Sequence, residues 1–127
     1  MGKIIKEIGL LGSKDNFIRL NALFDTGATI NVIKKRFDNG GSIDDIGIIE
    51  YLGWGQLILA NGMDIKAQKI KLKLLKLLGA GNKDPIKEPE FFLLDELIYD
   101  VIIGAKLMQQ LGIILNPSKK EISFCAI

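Results

Sequence analysis

The stretch from Gln56 to Lys76 constrains the fold more than any other, because Asn61-Gly62 stands between two apolar runs. Both residues tolerate positive φ, which the tightest β-hairpin turns demand, so this pair is the strongest short-range hairpin signal in the chain. The return arm, "KAQKIKLKLLK" at residues 66–76, alternates Lys with Ile and Leu. A period of two places alternate side chains on one face of a pleated strand and does not fit the 3.6-residue repeat of a helix. A hairpin running roughly 56–60 outward and 63–76 back is predicted.

The rest of the chain is cut the same way, into short Ile-, Val- and Phe-rich segments bounded by Gly, Asn, Asp or Pro. Residues 3–12 and 17–25 read as two antiparallel strands joined by the polar turn Ser13 to Asn16. "TINVIKKRF" (29–37) reads as a strand or a short helical turn, and "DNGG" (38–41) as loop. Asp44 and Asp45 read as loop charges, although "SIDD" has the spacing of a helix start. "GAGNKDPIKEP" (79–89) is predicted to be loop, and 90–96 and 99–104 buried strands. "AKLMQQLG" is the one convincing helix, with Leu107, Met108 and Leu111 on one face and Gly112 as its stop. Residues 113–124 form a last hairpin turning at Asn116-Pro117, with Lys119, Lys120 and Glu121 solvated. The expected architecture is all-β: about seven to nine short strands closed into a barrel or sandwich, with one short C-terminal helix. No repeat or linker divides the chain, so residues 1–127 form a single domain.

Composition narrows the chemistry. Hydrophobic residues make up 48% of the chain, which excludes disorder and leaves apolar surface over for a well-filled core or for a partner. With 17 basic and 15 acidic residues, net charge +2, there is no electrostatic footprint for nucleic acid. The lysines of 66–76 read as the solvated side of a strand rather than a phosphate site. There is one cysteine, Cys125, and no histidine. An intrachain disulfide, Ser-His-Asp and Cys-His catalysis, and the commonest zinc ligand are thereby excluded. Cys125 reads as a small core or interface residue, and nothing in the carboxylate spacing favours a metal, so no cofactor is expected. "MGKIIKEIGL" has neither the apolar run of a signal peptide or anchor nor, with Lys6, an acylation motif. A soluble, cytoplasmic chain without membrane partners is the expectation.

One charge is out of place. In "NALFDTGATINVI" (21–33), Asp25 lies among apolar residues, where a carboxylate is costly unless paired or hydrogen-bonded. The segment "LFDTGAT" (23–29) resembles the active-site signature of aspartic proteases. About 75 residues downstream, "DVIIGAKLM" (100–108) is similar to the apolar-apolar-Gly segment and helix that close the fold of retroviral-type proteases. The resemblance to the retropepsin-like family, in its single-domain form, covers about residues 5–124.

That resemblance implies an aspartic endopeptidase. Asp25 would be the catalytic carboxylate, Gly27 would bring the main chain close to it, and Thr26 would lock the loop against a partner's. Gly27, Ala28, Thr29, Trp54, Asn61, Gly62 and Ile103 would meet a peptide substrate. Acid–base hydrolysis needs two carboxylates and the chain has one Asp-Thr-Gly, since no Thr-Gly follows Asp95. A symmetric homodimer would supply the second, with strands around 4–8 and 122–125 interleaving. The hairpin at Asn61-Gly62 would be the flap, with Gly53-Trp54-Gly55 as the alternative tip; Trp54 reads equally as a core anchor. The chain departs from the viral pattern at Thr29-Ile30, where acidic residues often bind substrate main chain, and at Ala105-Lys106. Two other readings stay open: a turn-capping Asp in an ordinary barrel, and a retropepsin-like domain that binds peptides or dimerises without cleaving.

Overall fold

The computed structural model describes residues 2–58, 62–80 and 84–125. Met1, Leu59, Ala60, Asn61, Gly81, Asn82 and Lys83, all within the segments read above, lie outside the described residues. The chain is mostly strand, with one α-helix among the described residues.

Two strands, β1 (Lys3–Leu11) and β2 (Phe17–Asp25), form the first hairpin in unbroken antiparallel register, from Lys3 opposite Asp25 to Leu11 opposite Phe17. The turn between them closes on a Gly12 N–H donated to Asn16 O at 2.7 Å, with Asp15 left-handed at φ 59. The other edge of β2 is taken by β9 (Val101–Gly104), which runs parallel to it and brings Gly104 opposite Asp25. Strand β3 (Val32–Lys34) pairs antiparallel with the far edge of β9. A strand from the last third of the sequence is thus threaded between two consecutive ones. Beyond β3 lie β8 (Glu90–Leu94), β5 (Asp64–Leu72) and β4 (Ile48–Ile58), in the order β1-β2-β9-β3-β8-β5-β4.

The all-β class is as expected. A closed barrel is not detected among the described residues: β1 and β4 end the ladder without pairing to each other. The free edge of β1 is covered near Leu10 by residues 76–78, where Leu11 N–H donates to Lys76 O and Leu78 N–H to Gly9 O.

Other elements differ from expectation for local reasons. β4 begins at Ile48 rather than near Gln56, because two irregularities, at Ile48/Glu50 and Tyr51/Gly53, keep it paired with β5. Gly53 takes φ +98 at the second of these, a conformation side chains resist. The return arm stops at Leu72, and after Lys73 the short β6 (Leu74–Leu75) pairs instead with β7 (Ile86–Lys87), so the predicted loop 79–89 contains a strand. "SIDD" is a genuine helix start: the Asp44 N–H donates to Ser42 Oγ and the Ser42 N–H to Asp45 Oδ2, capping a 3-10 turn at Ile43–Asp45.

Helix α1 (Ala105–Leu111) buries Leu107, Met108 and Leu111 and ends on left-handed Gly112, as predicted. The final hairpin, β10 (Ile113–Asn116) and β11 (Glu121–Phe124), follows at once. Cys125 is exposed, so it is no core residue of this chain.

Burial divides into two clusters. The main core gathers Leu20, Ala22, Phe24, Ile33, Ile70, Leu72, Phe91, Val101 and Ile103 with the buried face of α1. A smaller cluster of Val32, Leu57, Ala67 and Phe92, flanked by Ile30, Ile65, Leu94, Leu97 and Ile102, lies under the β4–β5 hairpin. β5 therefore serves both, Ala67 facing the small cluster and Ile70 and Leu72 the main core.

Candidate active site

Asp25 is the last residue of β2, and the chain turns immediately after it. The Gly27 N–H donates to Asp25 Oδ1 at 2.9 Å, and the Ala28 N–H donates to the Asp25 main-chain oxygen at 3.1 Å. The Gly27 amide holds the carboxylate and offsets the loss of water around a side chain left 16% exposed, while the Ala28 amide closes the turn. Oδ2 faces the Lys3 ammonium across 3.9 Å.

Thr26 is exposed, and its polar groups turn to the start of the chain. Its N–H donates to Gly2 O at 3.1 Å, and its hydroxyl both accepts from the Gly2 N–H at 2.8 Å and donates to Gly2 O at 3.1 Å.

Behind this turn the backbone is packed as closely as glycine allows. Residues 28–30 cross the junction of β9 and α1, with the Ala105 N–H donating to Ala28 O at 3.0 Å. A Cβ on Gly104 would stand 2.6 Å from Ile30 O and 2.8 Å from Ala28 O, distances no real side chain shows. Asn31 pins the same crossing: its Oδ1 accepts from the Gly104 N–H at 2.9 Å and its main-chain oxygen from the Phe92 N–H at 2.9 Å. Neither Gly104 nor Asn31 was given a site role from the sequence. Gly104 carried a signal, as the glycine of the downstream segment; Asn31 carried none.

A second support lies deeper. Asp100, only 1% exposed, accepts the Asn21 N–H on Oδ2 and the Asp38 N–H on Oδ1, both at 2.9 Å, with Lys34 Nζ at 3.6 Å. Lys34 Nζ also donates to Asp38 Oδ1 at 2.7 Å and to Leu97 O at 3.3 Å. That bond holds the Asp38 carboxyl below the usual carboxylate range and the Lys34 ammonium above the usual lysine range, burial working against the latter. β2, β3 and the entry to β9 are tied together through one buried carboxylate.

Strand parity then decides what surrounds Asp25. Leu23 and Ile102 are directly opposed two residues from Asp25 and Gly104, and Val32 stands opposite Ile102, so the carboxylate's face of the sheet is apolar. Ile103 was expected to touch a substrate, but it is 0% exposed in the main core, across the sheet from that face. Ile102 holds the position instead. The small cluster continues this face beneath the β4–β5 hairpin, where the backbone at Gly55 lies against the Phe92 ring.

The other expected substrate contacts are placed as follows. Gly27, Ala28 and Thr29 form the turn itself. Trp54 is 69% exposed in mid-strand opposite Gln68, so it is no core anchor, and Gly53-Trp54-Gly55 is no tip. Gly62 lies just before β5 with φ +83, and Asn61 lies outside the described residues. Ile49, Tyr51, Ile58 and Met63 share the hairpin's exposure.

On the Thr26 side a shallow concavity of about 410 Å³ is lined by Gly2, Thr26, Met108, Gln109, Leu115 and Pro117 among others. It is not lined by Asp25 and so belongs to the loop's flank. No group of three or more His, Cys, Asp or Glu placed to hold a metal ion occurs among the described residues. No helix among them is long and apolar enough to cross a membrane. Comparison with protein-family models, curated proteins and solved structures finds no match.

Proposed function

We propose that the chain is a retropepsin-like aspartic endopeptidase that works as a homodimer, each subunit contributing one Asp25. The observation that carries this reading is the carboxylate's setting. One oxygen is fixed by the Gly27 N–H, and the side chain stands on an apolar sheet face that runs beneath a long exposed hairpin. The retropepsin-like reading of the fold is part of the same proposal, supported by β9 entering between β2 and β3 with its glycine opposite Asp25.

Peptide hydrolysis by this route needs a base and an acid at once. One Asp25 takes a proton from a water as its oxygen attacks the scissile carbonyl carbon, while the other donates a proton to the carbonyl oxygen. The first Asp25 then donates that proton to the leaving nitrogen while the other takes one from a hydroxyl of the tetrahedral diol. The C–N bond breaks, the carboxyl product forms and the pair again holds one shared proton. Like charges in contact favour one proton held between two carboxylates, and that is the resting state the reaction starts from. Each chain presents one carboxylate in such a turn, so a twofold axis near the turn completes the site. The hairpin then closes over the peptide and excludes water.

The test is cleavage of a mixed peptide library by the purified protein, read by mass spectrometry. Asp25→Asn is expected to lower cleavage by roughly 10²–10⁴-fold or more while the chain stays folded. Equal cleavage by the variant overturns the proposal. Peptide binding by the wild type with no turnover replaces it with the non-cleaving peptide-binding reading.

A further inference from the structure

Lys3 is the one cation paired with Asp25 among the described residues. A lysine on a surface strand usually makes passing ion pairs of little weight. This one is placed by the backbone. Lys3 stands directly opposite Asp25 in the β1–β2 register, so the two side chains leave the sheet on one face about 5 Å apart. The preceding residue is bound to the following turn, since Gly2 and Thr26 exchange hydrogen bonds through N–H, C=O and hydroxyl. The strand end therefore cannot drift from the carboxylate without breaking that clasp. Nζ lies 3.9 Å from Oδ2, the oxygen that Gly27 does not hold.

A two-carboxylate site has an electrostatic difficulty that its own geometry creates. Bringing two Asp25 turns together opposes like charges in a space that loses water as it forms, where charge interactions strengthen. Resting on the homodimeric reading, we propose that Lys3 is a positioning residue of that site. One ammonium from each subunit offsets the repulsion between the Asp25 groups and steers Oδ2. In the single chain Lys3 is 60% exposed and its pairing contributes little; its weight comes when two turns meet and exclude water.

The experiment is a coupling measurement. Dimer dissociation constants from sedimentation equilibrium, and peptide cleavage at matched dimer concentration, are compared for the full chain, Lys3→Met and Lys3→Arg. The dissociation constants are also measured for Lys3→Met in an Asp25→Asn background. With Asp25 present, Lys3→Met is expected to weaken the dimer roughly 3- to 30-fold and to lower cleavage, and Lys3→Arg to restore most of both. With Asn at position 25 there is no charge to offset, and Lys3→Met is expected to change the dimer less than about twofold. Raising salt to about 1 M shrinks the difference between Lys3→Met and the wild type. Two results overturn the proposal while leaving the peptidase reading intact: a Lys3→Met protein that dimerises and cleaves like the wild type, or an equal loss in both backgrounds. Absence of Asp25-dependent cleavage in the unmodified chain removes the peptidase reading, and this proposal with it.

Discussion

The two long hairpins of this chain are built from similar residues and end in opposite conditions. In β1–β2, Ile4, Ile8, Leu10, Leu20, Ala22 and Phe24 are buried, and β2 has a neighbour on each edge. In β4–β5, β4 buries Leu57 alone while Ile49, Tyr51, Trp54 and Ile58 are exposed, and β4 is the last strand of its sheet. Apolar alternation makes a strand in both cases, and β1 and β4 both end the sheet. The difference is that residues 76–78 cover the free edge of β1 and Ile8 and Leu10 pack into the main core. The carboxylate is carried by the first hairpin, and the second contributes Leu57 and Ala67 to the small apolar cluster with Val32 and Phe92. The proposed hydrolysis would use the first hairpin as its platform and the second as a cover closing on the peptide.

The contrast can be broken most forcefully at Gly104. Alanine there drives a Cβ into the carbonyl oxygens of Ile30 and Ala28, and backbone cannot yield as a side chain can. Gly104→Ala is expected to cost about 4 kcal/mol in urea unfolding, whereas Gly55→Ala in the hairpin, meeting only the Phe92 ring, costs about 1 kcal/mol. Comparable losses at the two sites contradict the distinction.

Asp100→Ala comes next. It leaves the Asn21 and Asp38 N–H groups unanswered and Lys34 short of a partner, with an expected loss of about 3 kcal/mol by the same measurement. Trp54→Ala sharpens the comparison from the other side. Exposed at mid-strand, it is expected to move stability by no more than about 0.5 kcal/mol while raising KM for peptides.

The smallest effect is a pH dependence. The Asp38 carboxyl is held below its ordinary 3.8 by Lys34, so the stabilisation is complete above that value and lost as pH falls through the lower folded value. Lys34 is raised above its ordinary 10.5, chiefly by the same bond, so its share is complete below that value and lost as pH rises through the higher folded value. Asp38→Asn is expected to flatten both limbs of a stability–pH curve, read from unfolding midpoints. Unchanged limbs contradict the pairing.

How far the sequence reaches follows from the distances involved. The β1–β2 turn, the Asn61-Gly62 hairpin signal, the stop at Gly112 and the Asn116-Pro117 turn are local, and local chemistry reveals them. Asp25 was legible because its neighbours in sequence are also its hydrogen-bond partners. The insertion of β9 between β2 and β3, and the bonds from Asn31 and Asp100, join residues far apart in the chain, so no window of sequence contains them. The exchange of Ile103 for Ile102 has the same origin. Which of two adjacent side chains faces Asp25 depends on a register set by a distant strand. β4 began earlier than read because its bulges break the period that marked its partner.

The central claim, one active site built from two Asp25 residues, is tested most directly by mixing. Wild-type and Asp25→Asn chains are combined in equal amounts at fixed total concentration, allowed to exchange subunits, and assayed for peptide cleavage. The proposal makes only dimers with two intact Asp25 residues active, so activity is expected to fall to about a quarter of that of wild type at the same total concentration. Activity at one half, in simple proportion to the wild-type chains present, would show that each chain cleaves with a site of its own.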